Sequence, residues 1–152
     1  MTKHSQTGVD EMTSIVLNFP TPTTNAHGIA LTSFRLATDP CGYGNAGPAV
    51  RIQGTKGEVQ VFGPIYLPRK CRVIMIGLGD IEQEGQDFMT DVPGKGLFWE
   101  ADACARCLRD GLQECEVMPW EESIAIMDVI DKVREQNGLR YPDTVESAVY
   151  NG

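Results

Sequence analysis

Residues 49–62 read AVRIQGTKGEVQVF, and no other stretch limits the possible folds of this chain so sharply. Residues 49–53 and 58–62 alternate and are rich in β-branched side chains, and Gly54-Thr55-Lys56-Gly57 joins them. Two such runs separated by a short, glycine-bounded link read as a β-hairpin. Residues that face each other across an antiparallel pair share one side of the sheet. Arg51, Gln53, Glu58 and Gln60 therefore project together. A polar face of this kind is solvated, forms a subunit interface or floors a ligand site, and the sequence leaves all three open. Arg51, Gln53 and Gln60 are the candidate substrate-binding residues on it.

The rest of the chain follows the same period and then changes it. Residues 13–19 read as a strand stopped by Pro20-Thr21-Pro22. Residues 27–36 read as a second strand, with His27, Ile29, Leu31, Ser33 and Arg35 on one side. Residues 71–76 form a further strand, and the acidic stretch 79–93 contains at most an edge strand. Helical spacing then takes over. Phe98, Ala101, Ala105 and Leu108 recur on one stripe that ends at Asp110-Gly111. A second helix opens at Pro119, carries Glu121 and Glu122 in its first turn, and stops at Asn137-Gly138. Strands followed by helices predict an α+β fold: an open-faced, largely antiparallel sheet with two main helices packed on one face. Residues 1–11 are expected to be loose, 12–147 to form a single domain and 148–152 to be a tail.

The bulk numbers exclude some partners. The 152 residues are 41% hydrophobic and 22% charged, ordinary for a soluble globular chain. The formal charge is −8. No basic cluster is present to neutralise phosphates, so nucleic acid and anionic membrane surfaces are not expected partners. No apolar run is long enough to span a bilayer, and the first residues lack a signal-peptide core. The five cysteines form no secreted framework, which points to a reducing, cytoplasmic location.

Several motifs carry possible chemistry. Gly42, Gly44 and Gly47 fit G-x-G-x-x-G, the spacing of a dinucleotide-binding turn, but a strand follows where a helix is needed. No cofactor is expected from it. Cys104 and Cys107 form a C-x-x-C well inside the first helix rather than at its N-terminus, where a redox pair would sit. With Cys115 they make at most three of the four ligands of a structural zinc site, so small buried side chains are the simpler reading and no metal is expected. His27, at a strand start, is a candidate general acid or base, with an ordinary strand-end histidine as the alternative. Trp99 and Glu100 stand where sheet gives way to helix. Glu100 either caps that helix or lines a pocket as the second candidate catalytic group, and Trp99 is a candidate substrate contact.

Three segments, AVRIQGTKGEVQVFGP, GLFWEADACARCLRDG and MPWEESIAIMDVIDKVREQNGLRYP, closely resemble the C-terminal half of the Gfo/Idh/MocA oxidoreductases. The nearest branch is that of the dihydrodiol and D-xylose dehydrogenases, in fungal form, and the resemblance runs from about Gly8 to Ser147. It implies an open-faced sheet with helices on one side, which in complete members helps form the substrate site and often a dimer contact. Complete members also carry a Rossmann domain that holds NAD(P) and a Glu-Lys-Pro segment bearing a catalytic lysine. Neither is found in this sequence, so no family catalytic residue transfers to a position here.

The expectation is therefore a stand-alone enzyme of small-molecule chemistry that works without a nucleotide cofactor. Isomerase, cyclase or lyase reactions, as in fungal secondary metabolism, fit it, with acid–base groups such as His27 and Glu100. A non-catalytic accessory subunit, or a dehydrogenase fragment needing a separate NAD(P)-binding chain, is the alternative. A homodimer through the sheet is expected in either case.

Overall fold

Thr55 and Lys56 are the only residues between the paired positions Gly54 and Gly57, so the hairpin read from the sequence closes through a two-residue loop. It belongs to a computed structural model that describes residues 1–20, 25–37, 47–77 and 85–146. The chain divides into two compact units, one of residues 1–36 and 114–152, the other of residues 37–113.

The second unit holds a four-stranded antiparallel sheet. Its strands, numbered with those of the other unit, are β4 (Pro48–Gly54), β5 (Gly57–Phe62), β6 (Lys70–Met75) and β7 (Gln86–Met89), in that spatial order. β7 lies inside the acidic stretch and is an edge strand, as expected. The pairs Arg51–Gln60, Gln60–Arg72 and Arg72–Asp87 put four polar residues in one row across all four strands. The alternate positions Ile52, Val59 and Val73 form a second row, on the opposite face. The hairpin passes close to β6: the Ile76 amide donates to the Lys56 carbonyl at 3.0 Å. After β7 the chain turns through Pro93–Gly96, where Gly94, Lys95 and Gly96 all have positive φ, and enters α1 (Phe98–Arg109).

The first unit holds the antiparallel sheet β1 (Thr2–Lys3), β2 (Asp10–Pro20) and β3 (Asn25–Ser33). Ile15, Leu17 and Phe19 of β2 face Ala30, Gly28 and Ala26 of β3. Small residues opposite large ones leave room for the Phe19 ring, which lies 3.2 Å from where a Gly28 Cβ would be. Val16 pairs with Ile29, on the other face, and both are exposed. β3 ends sooner than the alternation suggests, because the Ser33 hydroxyl accepts the Arg35 amide at 3.1 Å and turns the chain. Residues 1–11, expected to be loose, are hydrogen-bonded instead. Thr2 and Lys3 pair with β2 across a turn in which Gly8 has φ 73°, and Lys3 Nζ donates to the Gly138 carbonyl at 2.8 Å.

α2 (Trp120–Gln136) and the short α3 (Asp143–Glu146) complete this unit. Pro119 stands just outside α2 with ψ 163°, so the helix starts one residue later than the sequence suggested. The first amide, on Trp120, is satisfied by Glu114 Oε2 at 2.8 Å. Arg134 organises the other end. It pairs with Asp131 at 3.0 Å and with Glu146, and its guanidinium lies 4.1 Å from the centre of the Tyr141 ring. Val92 and Leu139 are the buried apolar side chains among the described residues, while Ile124, Met127 and Ile130 on the α2 stripe are exposed.

The Gly57 backbone has no room for a side chain, since a Cβ there would overlap the Ile74 carbonyl oxygen. At Gly54 the nearest atom to such a Cβ is 3.7 Å away. Gly57→Ala should therefore cost about 1–3 kcal/mol in urea unfolding. Gly54→Ala should cost clearly less, and equal losses would show that the close approach to β6 is not limiting.

Candidate functional site

The polar face of β4–β7 gathers three of the candidate substrate-binding residues, Arg51, Gln53 and Gln60, around one carboxylate. Glu58 Oε1 accepts from Arg51 Nε and from Gln60 Nε2, each at 2.7 Å. Glu58 Oε2 accepts from Arg51 Nη2 at 2.7 Å and from Gln53 Nε2 at 2.9 Å. Four donors on two oxygens form a saturated, charge-assisted cluster. The Arg51 contact, with help from Gln60 and Gln53, pushes the Glu58 carboxyl down to about 2. Arg51 is raised in turn by the same contact.

A second cluster continues the row. Arg72 donates from Nε to Asp87 Oδ1 and from Nη2 to Asp87 Oδ2, the latter at 2.9 Å. Lys70 Nζ meets Asp87 Oδ2 at 2.9 Å. These contacts, that of Arg72 foremost, hold the Asp87 carboxyl well below the usual carboxylate range. Phe62 lies beneath both cations, with Lys70 Nζ 4.8 Å and the Arg72 guanidinium 6.0 Å from its ring centre. Beside the hairpin, a shallow concavity of about 250 Å³ is bounded by Gln53 and Glu58 on its polar side and by Ile74, Met75 and Ile76 on its apolar side.

These carboxylates are poor proton carriers. A general acid or base works best with a pKa near the operating pH, and both groups stay ionised far below neutrality. What the face offers is a fixed array of cations, anions and amides, suited to recognition. Glu58, Lys70, Arg72 and Asp87 are not among the site residues read from the sequence. Nothing in the local pattern sets the β6–β7 register that brings Arg72 to Asp87.

The other candidates lie elsewhere. His27 is exposed on β3, in the first unit, opposite Asn18, beside a concavity of about 160 Å³. Glu100 is exposed in the first turn of α1, in the second unit, where a carboxylate suits the positive end of the helix. Trp99 meets the neighbouring Phe98 ring, with centroids 4.9 Å apart. A Cβ at Gly96 would lie 3.1 Å from both the Trp99 ring and Val92, so the indole also closes the turn onto α1. Cys104 and Cys107 sit inside α1. Among the described residues no group of three or more His, Cys, Asp or Glu side chains is placed to hold a metal ion.

Of the three glycines of the G-x-G-x-x-G segment, Gly47 is the one among the described residues. Gly42 and Gly44, with Cys41, lie outside the described residues. Gly47 has φ 65° and leads into β4, a strand, so no helix N-terminus stands behind it to face a pyrophosphate. No helix among the described residues is long and apolar enough to cross a membrane.

The ionised Glu58 cluster carries a pH signature. With the folded group at about 2 and the free group at 4.5, its contribution is complete above pH 4.5 and is lost as pH falls towards 2. The urea midpoint of the native chain should drop across that window. Glu58→Gln should flatten the drop, and an unchanged profile would show that Glu58 does not hold the face together.

Comparison with known proteins supplies a lineage. No protein-family model matches the chain, and no solved structure matches it significantly. D-xylose 1-dehydrogenase (NADP(+)) of Hypocrea jecorina is 43% identical over 155 aligned positions, which cover 95% of this chain and 37% of that protein. Trans-1,2-dihydrobenzene-1,2-diol dehydrogenase of Homo sapiens is 27% identical, covering 92% of this chain and 39% of that protein. The Bos taurus protein of the same name is 28% identical with the same coverage. The chain thus spans less than two-fifths of the length of these relatives. The likeness read from the three sequence segments is one of descent: the chain is a homologue of the D-xylose and dihydrodiol dehydrogenase branch of the Gfo/Idh/MocA oxidoreductases, matched over part of their length.

Proposed function

We propose that this chain provides the recognition sheet of a dehydrogenase-type oxidoreductase acting on a small molecule with neighbouring hydroxyl groups. Its action depends on a nucleotide-binding portion supplied by other sequence. The observation that carries this reading is the saturated Glu58 carboxylate. A face built of fixed ion pairs and amides can orient hydroxyls, yet it lacks a group that trades protons near neutrality. The substrate class follows from the relatives, whose names specify D-xylose and a 1,2-diol. The strand that follows Gly47, where a dinucleotide turn needs a helix, argues against a hydride carrier seated on that glycine.

The reading drawn from sequence alone, a cofactor-independent isomerase, cyclase or lyase with His27 and Glu100 as acid–base groups, has less behind it. The homologues are dehydrogenases. The accessory-subunit reading differs from the present one only in whether the assembled protein turns over.

Supplying the unmatched part of the Hypocrea jecorina enzyme in trans separates these readings. Reduction of NADP(+) by D-xylose or a trans-diol is expected only when both pieces are present. Conversion of either compound by this chain alone, without nucleotide, would establish the independent enzyme instead.

A symmetric homodimer through the β4–β7 face belongs to the same proposal. The face carries both signs of charge, so two copies can meet with opposite charges apposed. Sedimentation at micromolar concentration should give the dimer mass, and monomer alone would overturn the assignment.

A further inference from the structure

Asn137-Gly138, which closes α2, is also a pair with covalent chemistry of its own. The backbone nitrogen after an asparagine can attack the side-chain Cγ. The new C–N bond closes a five-membered succinimide, the amide nitrogen leaves as ammonia, and water then opens the ring to aspartate or isoaspartate. A following glycine places no side chain in the way of this attack.

Here the structure holds every participant away from reaction. Asn137 has φ −108° and ψ 5°, which turns the Gly138 nitrogen away from the Asn137 side chain, so ring closure needs a large rotation about the Asn137 Cα–C bond. The Asn137 amide nitrogen donates to the Val133 carbonyl at 2.7 Å. The Gly138 N–H donates to the Glu135 carbonyl at 3.1 Å, and the Leu139 N–H to the Arg134 carbonyl at 2.9 Å. Gly138 is itself held at φ 59°. Lys3 of β1 adds an outside tie through the Gly138 carbonyl.

We propose that Asn137-Gly138 is a succinimide-forming modification site kept latent by the C-terminal cap of α2, converting only as that cap opens. The product would prevent the cap from closing again. A carboxylate at position 137 faces the Val133 carbonyl at the negative end of the helix, with the Asn137 donor gone. Isoaspartate also adds a methylene to the main chain just ahead of buried Leu139.

The test uses the whole chain. Trypsin cuts after Arg134 and Arg140 and isolates residues 135–140, EQNGLR, in which the amide-to-acid mass gain is read directly. In mildly alkaline buffer the folded chain should convert about tenfold or more slowly than the same chain in urea, as local protection requires. Lys3→Ala should shorten the lag towards the urea rate. Asn137→Asp, which imitates one product, should lower the urea midpoint. Equal rates in buffer and urea, or no conversion in either, would overturn the proposal, as would an Asn137→Asp chain as stable as the parent.

Discussion

Strand register is the constraint from which the rest of the second unit follows. Once a two-residue loop pairs Gly54 with Gly57, every side chain of β4 and β5 is assigned to a face. β6 and β7 extend the assignment, and a slip of one residue would bring Ile52, Val59 and Val73 into the place of the polar row. Such a slip between β4 and β5 would separate Glu58 from its cross-strand donors Arg51 and Gln53. The register is thus enforced twice, by the turn and by the ion pairs. Gly57 links the two, because the room its missing side chain leaves is where the Ile74 carbonyl lies.

Full hydrogen bonding of the Glu58 carboxylate decides what the face can contribute. A carboxylate with all its donors present keeps its charge and its orientation, and it gives up reactivity for both. That is useful in a surface that must hold the same pattern before and after a reaction, and unhelpful in one that must move protons.

Much of the architecture was legible in the sequence because it rests on local rules. The hairpin could be read from its glycines and its alternation, α1 from its stripe and the Asp110-Gly111 stop, and α2 from Pro119 and Asn137-Gly138. The grouping of Arg51, Gln53, Glu58 and Gln60 was legible for the same reason. What escaped depends on partners far apart in the chain. β1 gains its place from β2 and from Gly138, so its short polar sequence gives no sign of order. Arg72 and Asp87 meet only because of a register set between two strands separated by the acidic stretch. Glu58 was read as one member of a polar face, since its role as the hub lies in distances, which a pattern of residue types does not contain. Trp99 has a local structural task, bracing Gly96, that its position beside Glu100 does not reveal.

The shared row bears on how such a sheet can drift over generations. Arg51 and Glu58 satisfy each other through two bonds, and Gln53 and Gln60 are oriented by the same acid. Replacing one partner strands the others, and exchanging the two charges alone takes the acceptor from Gln53 and Gln60. Descendants of this chain should therefore keep these positions as a set or change them as a set, so that their histories are correlated while those of the neighbouring loop residues Thr55 and Lys56 are not.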